Sequence, residues 1–253
     1  VRDRCCKRPE KGVNYISILK KTGLHSGHFI VAIDGPAASG KSTTARRSAE
    51  ELGFLHLDTG AMYRAVALKV LRSAISTRDR DAIARLMADT RIELRNPGGQ
   101  LTVLLDGAVV SEEIRSEEVD RSVSAVSALQ QVRAAMVREQ RRAAEHADIV
   151  AEGRDIGTVV FPDADVKFFM VAGIEARARR RQAELAAQGK ILELSDLVAA
   201  IRQRDLLDST RDVSPLQKAD DAIEIDTSDL TIEQQVATVV STVKEHLGRV
   251  RGR

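Results

Sequence analysis

The chain has 253 residues, enough to bury one good core without disulfides, and 39 Lys and Arg against 37 Asp and Glu leave a formal charge of only +2, so it is no general polyanion binder. No tryptophan and two tyrosines argue against single-strand nucleic-acid binding on stacked aromatics, and no run of about 18 apolar residues argues for a membrane span. The two cysteines, Cys5 and Cys6, are adjacent and lack a zinc pattern, and the five histidines show no metal-ligand spacing; a reduced, cytoplasmic setting is the simplest expectation.

Residues 1–28 lack periodicity and read as an amino-terminal extension, poorly ordered, ahead of a domain over 29–253. Phe29 to Ile33 form a short apolar run that reads as a buried parallel strand, since Gly35, Pro36 and Gly40 interrupt it before a helical turn can form. Lys41 to Leu52 then shows helical spacing, with Gly53 placed to end it. Between them, Gly35-Pro36-Ala37-Ala38-Ser39-Gly40-Lys41-Ser42 is a full match to G-x-x-x-x-G-K-[ST]. The glycines let successive N–H groups face phosphate oxygens, Lys41 supplies a mobile point charge, and Ser42 offers a hydroxyl to Mg²⁺. This pattern specifies a nucleoside triphosphate and a metal, and leaves the acceptor open.

A strand over Phe54 to Leu57 and a helix through Leu71 follow, with Asp58 or Thr59 as cap. An insertion is expected over about 76–119, holding an antiparallel hairpin between Arg91 and Val110. One long helix is expected from Val126 to Glu145, then strands in "DIVAEGRDIGTVVF" and "DVKFFMV". A helix bearing Arg177, Arg179, Arg180 and Arg181, a helix from Ser195 to Leu207, the strand "AIEID" and a helix from Thr231 to Leu247 complete the chain. The alternation predicts an α/β fold with a parallel sheet covered by helices on both faces.

Transfer between two phosphates brings polyanions together, and it needs positive charge and positioning more than a general base. Arg64, Arg154, Arg204 and Arg211 stand beside structural breaks, and Arg154 follows a strand at its carboxyl end, where α/β folds bind ligands. Arg177 and Arg181 share a helical face as i and i+4, so an anion is expected to offset their repulsion.

The stretches "IDGPAASGKST", "LDTGAMYRAVAL", "EGRDIGTVVFPDADVKFF", "RDLLDSTRDVSPL" and "ADDAIEIDTS" resemble the bacterial cytidylate kinases, CMP/dCMP kinases among the P-loop nucleoside monophosphate kinases, from about Ile30 onward. The resemblance implies γ-phosphoryl transfer from Mg²⁺-ATP to CMP or dCMP by a monomer that uses small-molecule substrates and no nucleic-acid or membrane partner. It assigns Gly35, Pro36, Ala37, Ala38, Ser39, Gly40, Lys41, Ser42 and Thr43 to ATP, and Ser42 to the metal. Arg64, Arg154 and Arg211 match the arginines that hold the acceptor phosphate, with Thr59 and Tyr63 beside them. Arg204 and Asp208 match sugar contacts, and Ser124, Arg133 and Asp155 match the groups that read cytosine. The resemblance also implies an arginine-rich lid over about 173–192, with Arg177 and Arg181 closing over ATP, so that Lys41, Arg154, Arg177, Arg181 and Arg211 form the catalytic set. A P-loop regulatory or nucleic-acid-binding module that uses the basic lid and tail as a contact surface, and a kinase of UMP or of another small acceptor, are the competing readings.

Overall fold

The computed structural model describes residues 27–95, 101–187 and 189–251. The expected extension over 1–28 therefore lies almost entirely outside the described residues, as does the turn of the expected hairpin at 96–100. In chain order the elements are β1 (Ile30–Asp34), α1 (Lys41–Leu52), β2 (Leu55–Asp58), α2 (Thr59–Arg72), α3 (Arg80–Ala88), β3 (Ile92–Arg95), β4 (Thr102–Leu105) and β5 (Ala108–Val109). They continue with α4 (Glu117–Ser127), α5 (Gln130–Ala143), β6 (Ile149–Gly153), β7 (Val166–Val171), α6 (Ile174–Ala186), α7 (Leu194–Thr210), β8 (Ile223–Asp226) and α8 (Ile232–Arg251).

Five strands form one parallel sheet in the order β2-β6-β1-β7-β8, which puts the loop-bearing β1 at its centre. Side chains alternate between the sheet faces, so β1 feeds two cores. Val31 and Ile33 pack with Ala45 and Ala49 of α1 and Val239 and Val243 of α8, whereas Ala32 points to Met62 and Val66 of α2 and to the helices beyond. Register then fixes the chemistry of the carboxyl edge. Ile33 and Asp58 both pair with Glu152, and Asp34 pairs with Gly153, so three acids end neighbouring strands on one edge.

β3, β4 and β5 form a separate antiparallel sheet, with Ile92 opposite Leu105 and Leu104 opposite Val109. The expected insertion also contains α3, which the sequence reading missed although Asp79 caps it by accepting from Ala82 N at 2.9 Å. α6 and α7 pack on each other through Ala178, Leu185, Leu197 and Ile201, a small core of their own.

Two expectations need correction. The single helix from Val126 to Glu145 is two, α4 and α5, because Leu129 is extended at φ −70° and ψ 126°. That break lets Val126 and Val132 both bury while turning Arg133 inward. The strand expected through "GRDIGTVVF" stops at Gly153, and Ile156–Val160 forms a π-helical turn. There the Asp34 carboxylate accepts from Ile156 N and Gly157 N, both at 2.8 Å, and these bonds replace sheet pairing.

Candidate active site

The loop after β1 can wrap an anion because glycine stands where a side chain would not fit. A Cβ on Gly35 would lie 2.2 Å from the Met170 carbonyl oxygen of the neighbouring strand. Gly40 opens α1 at φ 89°, and a Cβ there would sit 2.8 Å from Gln235 Oε1, which already accepts from Thr44 Oγ1. Thr227 Oγ1 donates to the Ser39 carbonyl at 2.8 Å and so ties the loop to the end of β8. Ser42 and Thr43 are exposed in the first turn of α1, whose N-terminus favours negative charge.

Lys41 Nζ is held 3.2 Å from the Pro36 carbonyl, and burial together with the Arg154 charge pushes its pKa down to about 7. Burial and the same Arg154 push Arg204 down to about 10, and burial with Arg133 lowers Arg211. Burial is the larger cause in each case and the neighbouring cation adds to it, an addition that an arriving anion would offset. Orphaned donors fit the same demand: Arg204 Nε, Arg211 Nη2 and Arg133 Nε are buried without a hydrogen-bond partner.

The expected acceptor-side residues fall into two ion-pair groups. Arg154 Nε donates to Asp208 Oδ2 of α7 at 2.8 Å; burial alone would raise the Asp208 carboxyl, but Arg154, Arg204 and Arg211 hold it below the usual carboxylate range. Asp155, Arg133 and Arg211 form the second group. Arg133 Nη2 donates to Asp155 Oδ2, and Arg211 Nη2 lies 3.7 Å from Asp155 Oδ1 while its Nε donates to the Ser214 carbonyl. The Arg133 guanidinium stacks 5.4 Å from the Tyr63 ring centroid, and both residues are buried. Thr59 Oγ1 donates to the Glu152 carbonyl at 2.6 Å, and Asp58 caps α2 by accepting from Ala61 N. Ser124 is half-buried on α4.

Not every expected arginine faces open space. Arg177 is buried and paired with Asp205 at 2.7 Å, while also reaching the Ala37 carbonyl of the loop at 3.4 Å. Arg181 pairs with Asp120 and Glu184, both at 3.2 Å, and Arg64 pairs with Asp120 at 2.6 Å. The repulsion expected between Arg177 and Arg181 is thus met here by carboxylates of the chain. Arg180 donates to Thr227 rather than facing the loop.

Glu152, Asp205 and Asp120 were not assigned roles by sequence reasoning. Glu152 is the most telling of them. It is buried at 2 % exposure and receives Ser42 Oγ at 2.5 Å on Oε2, with His56 Nε2 3.1 Å from Oε1. Burial would raise its carboxyl, yet His56, Lys41 and Ser42 together hold it below the usual range, whereas burial and Glu152 raise Asp58. Its position in "EGRD", at the end of a strand beside the loop, was the available signal.

The donor set suits Mg²⁺. Ser42 and Glu152 offer hard oxygen ligands side by side, and among the described residues no group of three or more His, Cys, Asp or Glu could form an all-protein cage. Mg²⁺ ordinarily takes one or two protein oxygens and completes its shell with phosphates and water.

A central β1, the glycine loop opening α1, and arginines gathered at the carboxyl edge define a P-loop phosphotransferase. The family model for cytidylate kinase matches residues 31–245, and the chain belongs to that family. Cytidylate kinase of Pelotomaculum thermopropionicum is 49 % identical over 84 % of this chain and 95 % of its own. That of Salinibacter ruber is 49 % identical over 87 % and 99 %, and that of Geobacter sp. strain M21 is 44 % identical over 92 % and 98 %. The chain is accordingly a nucleoside monophosphate kinase, with the α/β architecture of that class and a small antiparallel sheet added.

Proposed function

We propose that the chain transfers the γ-phosphoryl group of ATP to CMP or dCMP, giving ADP with CDP or dCDP, through the residues assembled at the carboxyl edge of its sheet. The observation that carries the reading is the gathering of Lys41, Arg154 and Arg204 beside the phosphate loop, with Arg204 Nε buried and without a hydrogen-bond partner, a set of cations suited to two adjoining phosphates. Residues 35–43 hold the ATP phosphates, with Lys41 reaching the transferred group. Ser42 and Glu152 would hold Mg²⁺, which when bound supplies positive charge to the phosphate oxygens. The acceptor oxygen is already ionised near pH 7, so no side chain needs to take its proton.

Arg64, Arg154 and Arg211 hold the acceptor phosphate, with Thr59 and Tyr63 lining that side, and Asp208 keeps Arg154 aimed. Arg204 and Asp208 contact the sugar. Asp155 accepts from the cytosine amine and Arg133 donates to N3 and O2, with Ser124 beside them. A carboxylate has about four acceptor sites, so Asp155 can hold Arg133 and a base at once. Uracil would turn a carbonyl toward that carboxylate, and each buried polar group left unpaired costs about 1–3 kcal/mol. Arg177 and Arg181 carry lid charge toward ATP over about 173–192, which excludes water from the transferred phosphoryl group.

The reading includes a monomer acting on small molecules in the cytoplasm, without nucleic-acid or membrane partners, and rests there on the family resemblance. Among the described residues no helix is long and apolar enough to cross a membrane.

The deciding experiment measures ADP formed from Mg²⁺-ATP with CMP, dCMP, UMP, AMP, GMP or shikimate. A response dominated by CMP and dCMP is expected. ADP formation that is independent of acceptor, or strongest with UMP or shikimate, overturns the assignment of the acceptor pocket.

A further inference from the structure

Arg64 and Arg181 stand on α2 and α6, far apart in the chain, yet both end on one carboxylate of α4. Arg64 Nη2 lies 2.6 Å from Asp120 Oδ1, and Arg181 Nη2 lies 3.2 Å from Asp120 Oδ2. Arg64 also donates to the Ile114 carbonyl, in the turn that precedes α4, at 3.1 Å. The Asp120 side chain is only 27 % exposed, so solvent screens these pairs less than ordinary surface pairs. Two guanidinium groups thus stand one at each oxygen of a single acid, Arg181 hydrogen-bonded to Oδ2 and Arg64 in ion-pair contact with Oδ1, the latter oxygen being buried with no hydrogen bond of its own.

We infer that Asp120 is an internal counter-anion, occupying the arginines Arg64 and Arg181 until a substrate phosphate replaces it. The inference rests on the proposed role of those arginines as phosphate ligands. In the absence of substrate the single negative charge offsets repulsion between two cations and fixes α6 against α4; Lys190 and Glu117, 3.0 Å apart and exposed, add a weaker tie between the α6–α7 connection and α4. A phosphate monoester carries nearly two negative charges at neutral pH and outcompetes one carboxylate. Asp120 touches no reacting atom. It is a positioning residue whose effect falls on phosphate affinity, and on coupling of the lid arginine to arrival of the acceptor.

The test compares the wild-type chain with Asp120→Asn, which keeps shape and removes charge, with Asp120→Ala as a second neutral variant and Asp120→Glu as the charge-keeping control. Equilibrium dissociation constants are measured for CMP, for cytidine and for inorganic phosphate, alongside ADP formation from ATP without acceptor. The expected result is CMP and phosphate bound about 3- to 10-fold more tightly by the neutral variants, cytidine unchanged, and acceptor-independent ADP formation raised. Asp120→Glu should stay near wild type. Neutral variants that bind CMP no more tightly, relative to cytidine, overturn the inference. Wild-type CMP turnover is scored separately: if it is absent while phosphate still binds the neutral variants more tightly, the substrate reading fails and the counter-anion stands.

Discussion

Ser42 Oγ lies 2.5 Å from Glu152 Oε2, although 110 residues separate them in the chain. The contact exists because β1 and β6 run parallel with Ile33 opposite Glu152, which places the end of β6 beside the first turn of α1. A hydroxyl and a carboxylate share one spot, which neither stretch specifies by itself.

Glu152→Gln keeps the shape and removes the charge beside Ser42. Activity is expected to fall about 10- to 100-fold at limiting Mg²⁺ and to recover in part as Mg²⁺ is raised. The check is a Mg²⁺ titration of kcat for both proteins, and an unchanged half-saturating Mg²⁺ concentration removes Glu152 from the metal site.

Asp155→Asn should act on both specificity and stability. The variant offers cytosine one fewer acceptor and can turn its amide donor toward uracil, so the CMP-to-UMP ratio of kcat/KM should drop at least about 10-fold. It also leaves the buried Arg133 short of its counter-charge, costing about 3–5 kcal/mol of folding free energy. Substrate kinetics and urea unfolding measure the two effects separately.

Asp34 is pushed up from 3.8 to about 6, chiefly by burial and despite the bonds from Gly157 and Ile156. A carboxyl raised in the folded state stabilises folding most when protonated in both states, below about pH 4, and that contribution is lost as pH rises through about 6. The loss amounts to about 3 kcal/mol at pH 7 by linkage. Asp34→Asn cannot ionise. The stability of the variant relative to wild type should therefore shift in its favour by about 1–3 kcal/mol between pH 4 and pH 7.5, read from urea unfolding at each pH. A pH-independent difference would mean that the two amide bonds keep Asp34 near its ordinary value.

The two loop glycines should differ in their tolerance of alanine. At Gly35 the added carbon meets the Met170 backbone oxygen at 2.2 Å, so destabilisation of at least about 2 kcal/mol is expected. At Gly40 the obstacle is the end of the Gln235 side chain rather than backbone, so the loss is expected to be smaller: the left-handed backbone cost of about 1–2 kcal/mol plus disturbance of the buried Gln235 bonds to Thr44 and the Leu230 carbonyl. Thermal unfolding ranks the pair, and equal losses would show that Gln235 is as immovable as the strand.

The sequence alone determined whatever is encoded over a few neighbouring residues. The apolar run of β1, the helical spacing of α1 ended by Gly53 at φ 71°, and the Asp58 cap of α2 all depend on contacts within a few positions. The phosphate loop was legible for the same reason, since its chemistry needs glycine, lysine and serine at fixed offsets. Local cues were also overlooked, as Asp79, Ile83 and Met87 do mark α3.

Tertiary structure decided the rest, because the deciding forces act between segments far apart in sequence. Ala128 and Leu129 favour helix, yet the chain breaks there because burying both Val126 and Val132 outweighs the lost helical bonds. Apolar "IGTVV" suits a strand, but the Asp34 carboxylate captures two of its amides and coils it into a π turn. The arginines were visible as charges, and their partners were not. Asp208 for Arg154, Asp205 for Arg177, and Asp120 for both Arg64 and Arg181 are pairings set by where strands end and helices cross. Local spacing gives residue type and secondary structure, whereas charge complementarity across the site exists only once the sheet has brought its carboxyl edge together.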